Sequence, residues 1–313
     1  MEIYIGGTRH IVRNFQYKSW GGQGIIYKAE IEGENYALKV HQDDELNRRT
    51  DQIHERVRGR ELPDALTFRS FPVGYGTASS REIIDEDGED WLVIVFKWVE
   101  GEGFLQYIRR SYGSISVNQR ERQAKQLLYA LHFFEKCGIV HGDLSLKNIL
   151  VDNSGNLHII DVESSGLLQR NNEWFFKPRT FGTVFPGIPR APELQRGEIS
   201  PYVDRWSLAS IIAFILTKKL PFAFLRDIGE SSLKELYEIA EKRRGSDEFE
   251  FAWPPLGAEE HPRVYTNCDI TALRREFSRY RELPYLLYRA FIMGFERFER
   301  RPDAREWLTR LGI

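Results

Sequence analysis

Within His141-Gly142-Asp143-Leu144-Ser145-Leu146-Lys147-Asn148, an imidazole, a carboxylate, an ammonium and a carboxamide are crowded onto one short loop. The loop runs directly into the apolar stretch Ile149-Leu150-Val151. After the turn-like Asn153-Ser154-Gly155-Asn156, a second apolar stretch, Leu157-His158-Ile159-Ile160, ends at another carboxylate, Asp161. Oxygen donors at the margins of adjacent strands, with a cation between them, suit a magnesium–phosphate site. Magnesium takes oxygen ligands, usually one or two carboxylates together with substrate phosphates.

Phosphate chemistry also needs backbone that can approach closely. Ser19-Trp20-Gly21-Gly22-Gln23-Gly24-Ile25-Ile26 offers it, because glycines remove Cβ interference and successive amides form an anion-binding concavity. A plain hairpin turn would use the same residues. Tyr36-Ala37-Leu38-Lys39-Val40 follows, an apolar strand carrying a single ammonium.

The elements that must hold these groups fall into two halves. Turn signals at Gly6-Gly7 and Gly33-Glu34-Asn35 separate runs rich in Ile, Tyr and Val, so residues 1–40 read as strands. His41 to Arg60 reads as a charged, largely solvated helix ending near Gly59. Phe71–Thr77 and Trp91–Trp98 read as paired strands around the acidic turn Asp85-Glu86-Asp87-Gly88. Trp91-Leu92-Val93-Ile94-Val95-Phe96 is apolar enough to be covered on both faces. Beyond residue 100 the pattern turns helical. Ser116 starts a capping box with Gln119, Ala124, Leu127, Leu128 and Leu131 recur at helical spacing, and Gly138 closes the helix. Residues 162–190 have little periodicity. Ile211-Ile212-Ala213-Phe214-Ile215-Leu216 is apolar all round and hence buried. Phe249 to Tyr265 is aromatic and proline-bearing with no assignable pattern.

The order His-x-Asp-x-x-x-x-Asn, then Asp161 after a second strand, resembles the catalytic and metal-binding loops of the protein-kinase superfamily. The glycine cluster and Lys39 resemble its glycine-rich loop and third-strand lysine. Lys97-Trp98-Val99-Glu100-Gly101 resembles the interlobe hinge. Gly182-Thr183, Ala191-Pro192-Glu193, Asp204-Arg205-Trp206-Ser207-Leu208 and Arg301 are similar to further signatures in the family's order. The resemblance spans roughly Ser19 to Ala304. It implies an α+β, bilobal kinase-like fold, with a small β-rich N-lobe over residues 1–100 and a larger, mainly helical C-lobe over 101–313. The type implied is a eukaryotic-like serine/threonine protein kinase of the kind found in bacteria, using ATP and magnesium. Lys39 is then expected to hold the α- and β-phosphates, Asn148 and Asp161 the magnesium, and Asp143 the proton of the substrate hydroxyl. Gly21, Gly22 and Gly24 would cover the nucleotide. Ile26, Ala37 and Leu150 would sandwich adenine, and Trp98 and Val99 would border it at the hinge. Glu45, Glu55 and Glu61 are candidates to pair with Lys39, with Glu55 at mid-helix. His141 and Asp204 are expected as supports, Lys28 and Lys97 as solvated lysines, and Arg301 as a bidentate partner of Glu193.

Several departures bear on function. Ser19 stands where the first glycine is expected, and the spacer from Thr183 to Ala191 is longer than usual. Gly142 replaces the arginine that receives an activation-loop phosphate. Asp161-Val162-Glu163 replaces Asp-Phe-Gly, so the flexible glycine is lost; a glutamate forced to positive φ there would cost roughly 1–2 kcal/mol. Ser145 occupies the position of a catalytic-loop lysine, a charge that Lys147 is placed to supply. His-Gly-Asp with Asp-x-Glu also resembles aminoglycoside, choline and sugar kinases, so a small-molecule kinase is one alternative and a nucleotide-binding pseudokinase scaffold another. Against the first stand Ala191-Pro192-Glu193 and Arg301, parts of a peptide platform; against the second stands the retention of Lys39, Asp143, Asn148 and Asp161.

Composition narrows the classes further. A chain of 313 residues with 42% apolar and 29% charged residues is an ordinary globular protein. A net charge of −2 gives no reason to expect nucleic acid or an anionic membrane as partner. Cys137 and Cys268 are too few for a disulfide framework, and none is expected with a partner chain. No secretory leader or membrane-length apolar run is evident, so a cytoplasmic protein acting on a protein substrate is expected.

Because Gly142 offers no cation, a phosphate on Ser164, Ser165, Thr180 or Thr183 lacks its usual receptor beside Asp143. Activity is therefore expected to survive exhaustive phosphatase treatment. Silencing by phosphatase, with recovery through an acidic substitution at one of those sites, would contradict this.

Overall fold

The computed structural model describes residues 2–5, 8–21, 24–61, 72–78, 91–111, 113–179, 188–244, 251–264 and 268–313. Contacts divide the chain into two units, Met1–Glu102 with Leu150–Ser164, and Gly103–Ile149 with Ser165–Ile313.

The first unit is built on strands β1 (Glu2–Ile5), β2 (Thr8–Gly21), β3 (Gly24–Ile31) and β4 (Glu34–His41), helix α1 (Asp44–Val57), and strands β5 (Pro72–Ala78) and β6 (Trp91–Lys97). The six strands close into a barrel in the order β1-β2-β3-β4-β6-β5. Alternation explains the closure: Ile25, Tyr27, Ala29 and Ile31 of β3 and Leu38 and Val40 of β4 point one way into a core with Val93 and Val95. The same period turns Ala37 and Lys39 to the opposite face. Register sets Lys39 across from Ile26 on one side and Ile94 on the other. Helix α1 starts at Asp44 and not at His41, which still belongs to β4; Asp43 caps it, its Oδ1 accepting the Glu45 amide at 2.9 Å. The expected pairing of β5 with β6 is present. Phe71 and the Asp85–Gly88 turn lie outside the described residues.

Strands β7 (Gly101–Gly103), β9 (Ile149–Asp152) and β10 (Leu157–Ile159) form a second sheet. Asp152 fixes its turn: its Oδ1 accepts the amides of Ser154 and Asn156 at 2.9 Å each, and its Oδ2 meets His158 Nε2 at 3.0 Å. Burial works against the carboxylate, but these contacts prevail and hold its pKa at about 2.

The second unit is mainly helical: α2 (Phe104–Ser111), α3 (Val117–Cys137), α4 (Pro192–Gln195), α5 (Val203–Thr217), α6 (Glu230–Arg243), α7 (Ile270–Phe277), α8 (Leu283–Tyr288) and α9 (Ala304–Leu311). Between α3 and α4, β8 (Ile139–Val140), β11 (Gly166–Leu168) and β12 (Trp174–Phe176) form a small sheet, so the stretch without periodicity holds short strands. Ser116 Oγ accepts the Gln119 amide at 3.2 Å, and Gly138 ends α3 at φ 63°. Helix α5 is buried on every side, as its composition requires. Within the unassigned aromatic stretch, described over 251–264, Trp253 proves to be core. Trp253 is fully buried, 4.8 Å from Phe291 and 5.1 Å from Phe222 between ring centroids, and its indole N–H donates to the Pro221 carbonyl at 2.9 Å. Among the described residues no helix is long and apolar enough to cross a membrane.

Glu193 and Arg301 are both fully buried and joined as a fork, Nη1 to Oε1 at 2.6 Å and Nη2 to Oε2 at 2.7 Å. Ser200 Oγ donates to the same carboxylate at 2.8 Å, and Arg301 Nε to the Gly294 carbonyl at 2.9 Å. Burial would raise the Glu193 pKa, but Arg301 outweighs it and holds the carboxyl below the usual glutamate range. A depressed folded-state pKa contributes stability above the unfolded value of 4.5 that fades as pH falls through the folded value. Arg301→Ala is expected to destabilise the protein by about 3–5 kcal/mol at neutral pH, measured by urea unfolding, because it strands a buried charge. The deficit should shrink below the glutamate range as Glu193 protonates; a deficit independent of pH would refute the linkage.

Candidate active site

Lys39 projects from β4 into a cleft of about 260 Å³ within the first unit. The cleft is lined by Ile26 and Ala37 from the barrel, Phe96, Trp98 and Val99 from the end of β6, and Leu150 from β9. The apolar slot expected for a flat ring is thus assembled, and Phe96 adds an aromatic wall that the sequence did not single out. The Trp98 amide donates to the Asn35 carbonyl at 3.1 Å and is committed to the barrel. Lys28, expected to be solvated, instead pairs with Glu100 at 2.6 Å and lies 4.9 Å from the Trp98 ring centroid. Lys97 likewise pairs with Glu34 and sits over the Tyr36 ring at 4.5 Å.

At the polar end of the cleft, Lys39 Nζ lies 3.3 Å from Asp161 Oδ1 and in ion-pair contact with Glu163 Oε1. Lys39 is 4% exposed and Glu163 1%. Burial alone would lower the lysine's pKa; the two carboxylates more than offset it and hold Lys39 above its ordinary value, hence cationic. Asp161 adopts φ 62°, a left-handed conformation that aspartate tolerates better than most residues. The positive φ in this segment therefore falls on Asp161 and not on Glu163. Val162, next to it, is fully buried.

Glu55 is not brought to the lysine. Its side chain is 60% exposed and sits 3.7 Å from Arg58 on its own helix. Glu45 pairs with Arg49 at 2.5 Å, and Glu61 is exposed. The expectation fails because the inward face of α1 carries Leu46, Arg49, Thr50 and Ile53, which places Glu55 on the outer face.

Strand β2 ends at Gly21 and β3 begins at Gly24, and these two residues pair with each other. Gly22 lies outside the described residues. Gly24 has φ 142°, and a Cβ there would come within 2.5 Å of the Val40 carbonyl oxygen, so only glycine fits.

The loop from His141 to Asn148 belongs to the second unit. Asp204, at the start of α5, receives the amides of His141 at 2.6 Å and Gly142 at 2.8 Å. His141 is fully buried, and its Nδ1 accepts the Asp143 amide at 3.3 Å. Both residues are supports, as expected. Asn148 Nδ2 donates to the Asp143 carbonyl at 2.8 Å and to Asp143 Oδ2 at 3.2 Å, which turns the amide end of Asn148 toward Asp143. Ser145 is buried and its Oγ accepts the Lys147 amide at 3.3 Å, while the Lys147 side chain is exposed. Ser164 and Ser165 are fully buried, which removes them as accessible phosphorylation positions; Thr180 and Thr183 lie outside the described residues.

A family model described as "Protein kinase domain" matches residues 21–261. The chain belongs to the protein kinase family. It is 28% identical over 221 residues to NUAK family SNF1-like kinase 2 of Rattus norvegicus, covering 68% of this chain and 32% of that protein. It is 33% identical over 132 residues to the protein kinase kin1 of Schizosaccharomyces pombe, covering 41% of this chain and 14% of that one. NUAK family SNF1-like kinase 1 of Mus musculus is 27% identical over 208 residues, 64% of this chain and 29% of the relative. The matched region thus spans a third or less of these relatives' length.

Within this kinase domain, the strand-rich first unit and helical second unit match the expected fold. The residue that sequence reasoning missed at the lysine is Glu163, noted only as a lost glycine. The available signal was only that a carboxylate stands two positions after Asp161, where the family carries glycine.

Gly142 stands at φ 76° with both flanking amides tied down by Asp204 and His141. Restoring the arginine common in the family, Gly142→Arg, is therefore expected to destabilise the protein by about 1–2 kcal/mol, since an L side chain resists that conformation. Urea unfolding of the variant indistinguishable from wild type would show that the loop relaxes instead.

Proposed function

We propose that the protein is an ATP- and magnesium-dependent protein kinase that transfers the γ-phosphoryl group to a serine or threonine hydroxyl. The single observation that carries this reading is the Lys39 ammonium held against Asp161 at the polar end of a cleft whose Ile26, Ala37, Val99 and Leu150 form an apolar slot. Membership of the protein kinase family and the names of the relatives support the same direction.

The donor set fits magnesium. Among the described residues no group of three or more His, Cys, Asp or Glu side chains could cage a metal. By the family's pattern, Asp161, 42% exposed, would give magnesium a carboxylate oxygen and Asn148 a carboxamide oxygen, with phosphates and water as the remaining ligands. When bound there, magnesium neutralises charge on the phosphates. Lys39 holds the α- and β-phosphates, and Ile26, Ala37, Val99 and Leu150 enclose the adenine, with Phe96 and Trp98 at its border. Gly21, Gly22 and Gly24 give backbone amides access to the phosphates. Asp143 orients the substrate hydroxyl and accepts its proton, and Lys147 supplies the loop's cation. The enzyme works in the cytoplasm on a protein whose identity is open.

A second reading is favoured by one feature. The left-handed Gly142 gives the catalytic loop the His-Gly-Asp form resembling that of aminoglycoside and sugar kinases. Glu193 and Arg301, which brace a peptide platform in protein kinases, weigh against it.

Purified protein incubated with labelled ATP, magnesium and a generic protein substrate should label the protein. Label only on a small molecule would favour the second reading, and none at all would refute both. Asp161→Asn should abolish turnover while the protein still folds cooperatively, and activity retained in that variant would remove the metal assignment.

A further inference from the structure

Helix α1 carries four carboxylates, Asp44, Glu45, Asp51 and Glu55, and none lies on its buried face. That face presents instead the guanidinium of Arg49, 2% exposed, flanked by Leu46, Thr50 and Ile53. Arg49 engages Glu45, and Glu55 faces Arg58 on the outer side, so neither glutamate of the helix is turned to Lys39. Helix α1 packs against the single turn Val162–Ser164, and from that turn Glu163 reaches Lys39. The carboxylate and the ammonium are among the least exposed charged groups of the first unit.

We propose that Glu163 is the positioning residue for Lys39, supplying from the turn after Asp161 the carboxylate that helix α1 does not provide. The proposal rests on the phosphotransfer reading above. Lys39 and Glu163 are then locked by elements of one unit, since β4 and the 150–164 segment belong together. Two consequences follow physically. Lys39 is held on the same short segment that carries Asp161, so the two groups facing the phosphates keep their spacing. The lysine's counter-charge comes from the turn and not from a side chain of α1, so removing the Glu55 carboxylate leaves the pair in place.

The test uses the full chain in four forms besides wild type: Glu163→Gln, Glu55→Ala, Lys39→Met, and the double variant Lys39→Met/Glu163→Gln. The first readout is thermal unfolding without nucleotide or divalent cation. Each change at Lys39 or Glu163 should lower Tm, and the double variant should lie well above the sum of the two losses, because removing one partner strands the other. The second readout is steady-state kinetics. Glu163→Gln should lower kcat by ~10-fold or more with a smaller change in the KM for ATP, the scale seen when a residue orienting a reactive-site group is lost. Glu55→Ala should match wild type in both readouts.

Additive Tm losses would overturn the proposal, as would a Glu163→Gln variant with wild-type kcat or a Glu55→Ala defect equal to it. A Glu163→Gln defect erased by raising magnesium would also overturn it, since the carboxylate would then serve the metal. If wild-type protein transfers no phosphate at all, the activity reading fails while the unfolding cycle still decides the pairing.

Discussion

A buried ammonium is the constraint on which the first unit depends. Removing a lysine from water costs several kcal/mol unless counter-charges replace the lost hydration. Lys39 has two carboxylates within reach, and both come from the segment that follows β10. The barrel positions the lysine through strand register, and the β9–β10 hairpin delivers its partners. Asp152 keeps that hairpin in shape by accepting amides of its own turn. A strand pattern, a turn and an ion pair are thus coupled: a one-residue slip of β4 would carry Lys39 into the apolar core and turn Leu38 and Val40 out of it.

The second unit solves a different problem, holding an irregular loop in one conformation. A loop with few backbone partners needs side chains to accept its amides. Asp204 and His141 do this for His141, Gly142 and Asp143, while Asn148 closes the loop onto Asp143 from the other end. The glycine at 142 follows from this fixing, since the conformation demanded there is left-handed. Burial pushes the Asp204 carboxyl above its ordinary value, against the opposing pull of His141 and of the two amides it accepts. Farther from the loop, the Glu193–Arg301 fork ties the start of α4 to the approach to α9, its charges compensated by a hydroxyl and a carbonyl.

The aromatic cluster of Trp206, Phe222, Trp253 and Phe291 shows how an apparently featureless stretch can be core. Trp253 has no periodic apolar neighbours, so no helix or strand pattern announces it. Its burial is decided by partners that lie 31 to 38 positions away in sequence on either side, at Phe222 and Phe291.

The sequence by itself determined the family, the two-unit character and the local devices. Ser116 and Gly138 as caps, Asp204 as an amide acceptor, Arg301 with Glu193, and Lys39 on its strand were all legible, because cap chemistry, strand alternation and motif-defined charge pairing act over short or recurrent spacings; the pairing of Lys39 with Asp161 was not. Only the tertiary structure decided which carboxylate faces Lys39. Glu55 was a reasonable candidate by helix position, yet the helix turns Arg49 and Thr50 inward, and rotation of a helix about its axis is fixed by packing rather than by its own residues. The same holds for Lys28 on Trp98, for Phe96 in the cleft wall and for the buried Ser164 and Ser165. Each depends on residues distant in sequence meeting in space, and linear spacing carries no record of that meeting.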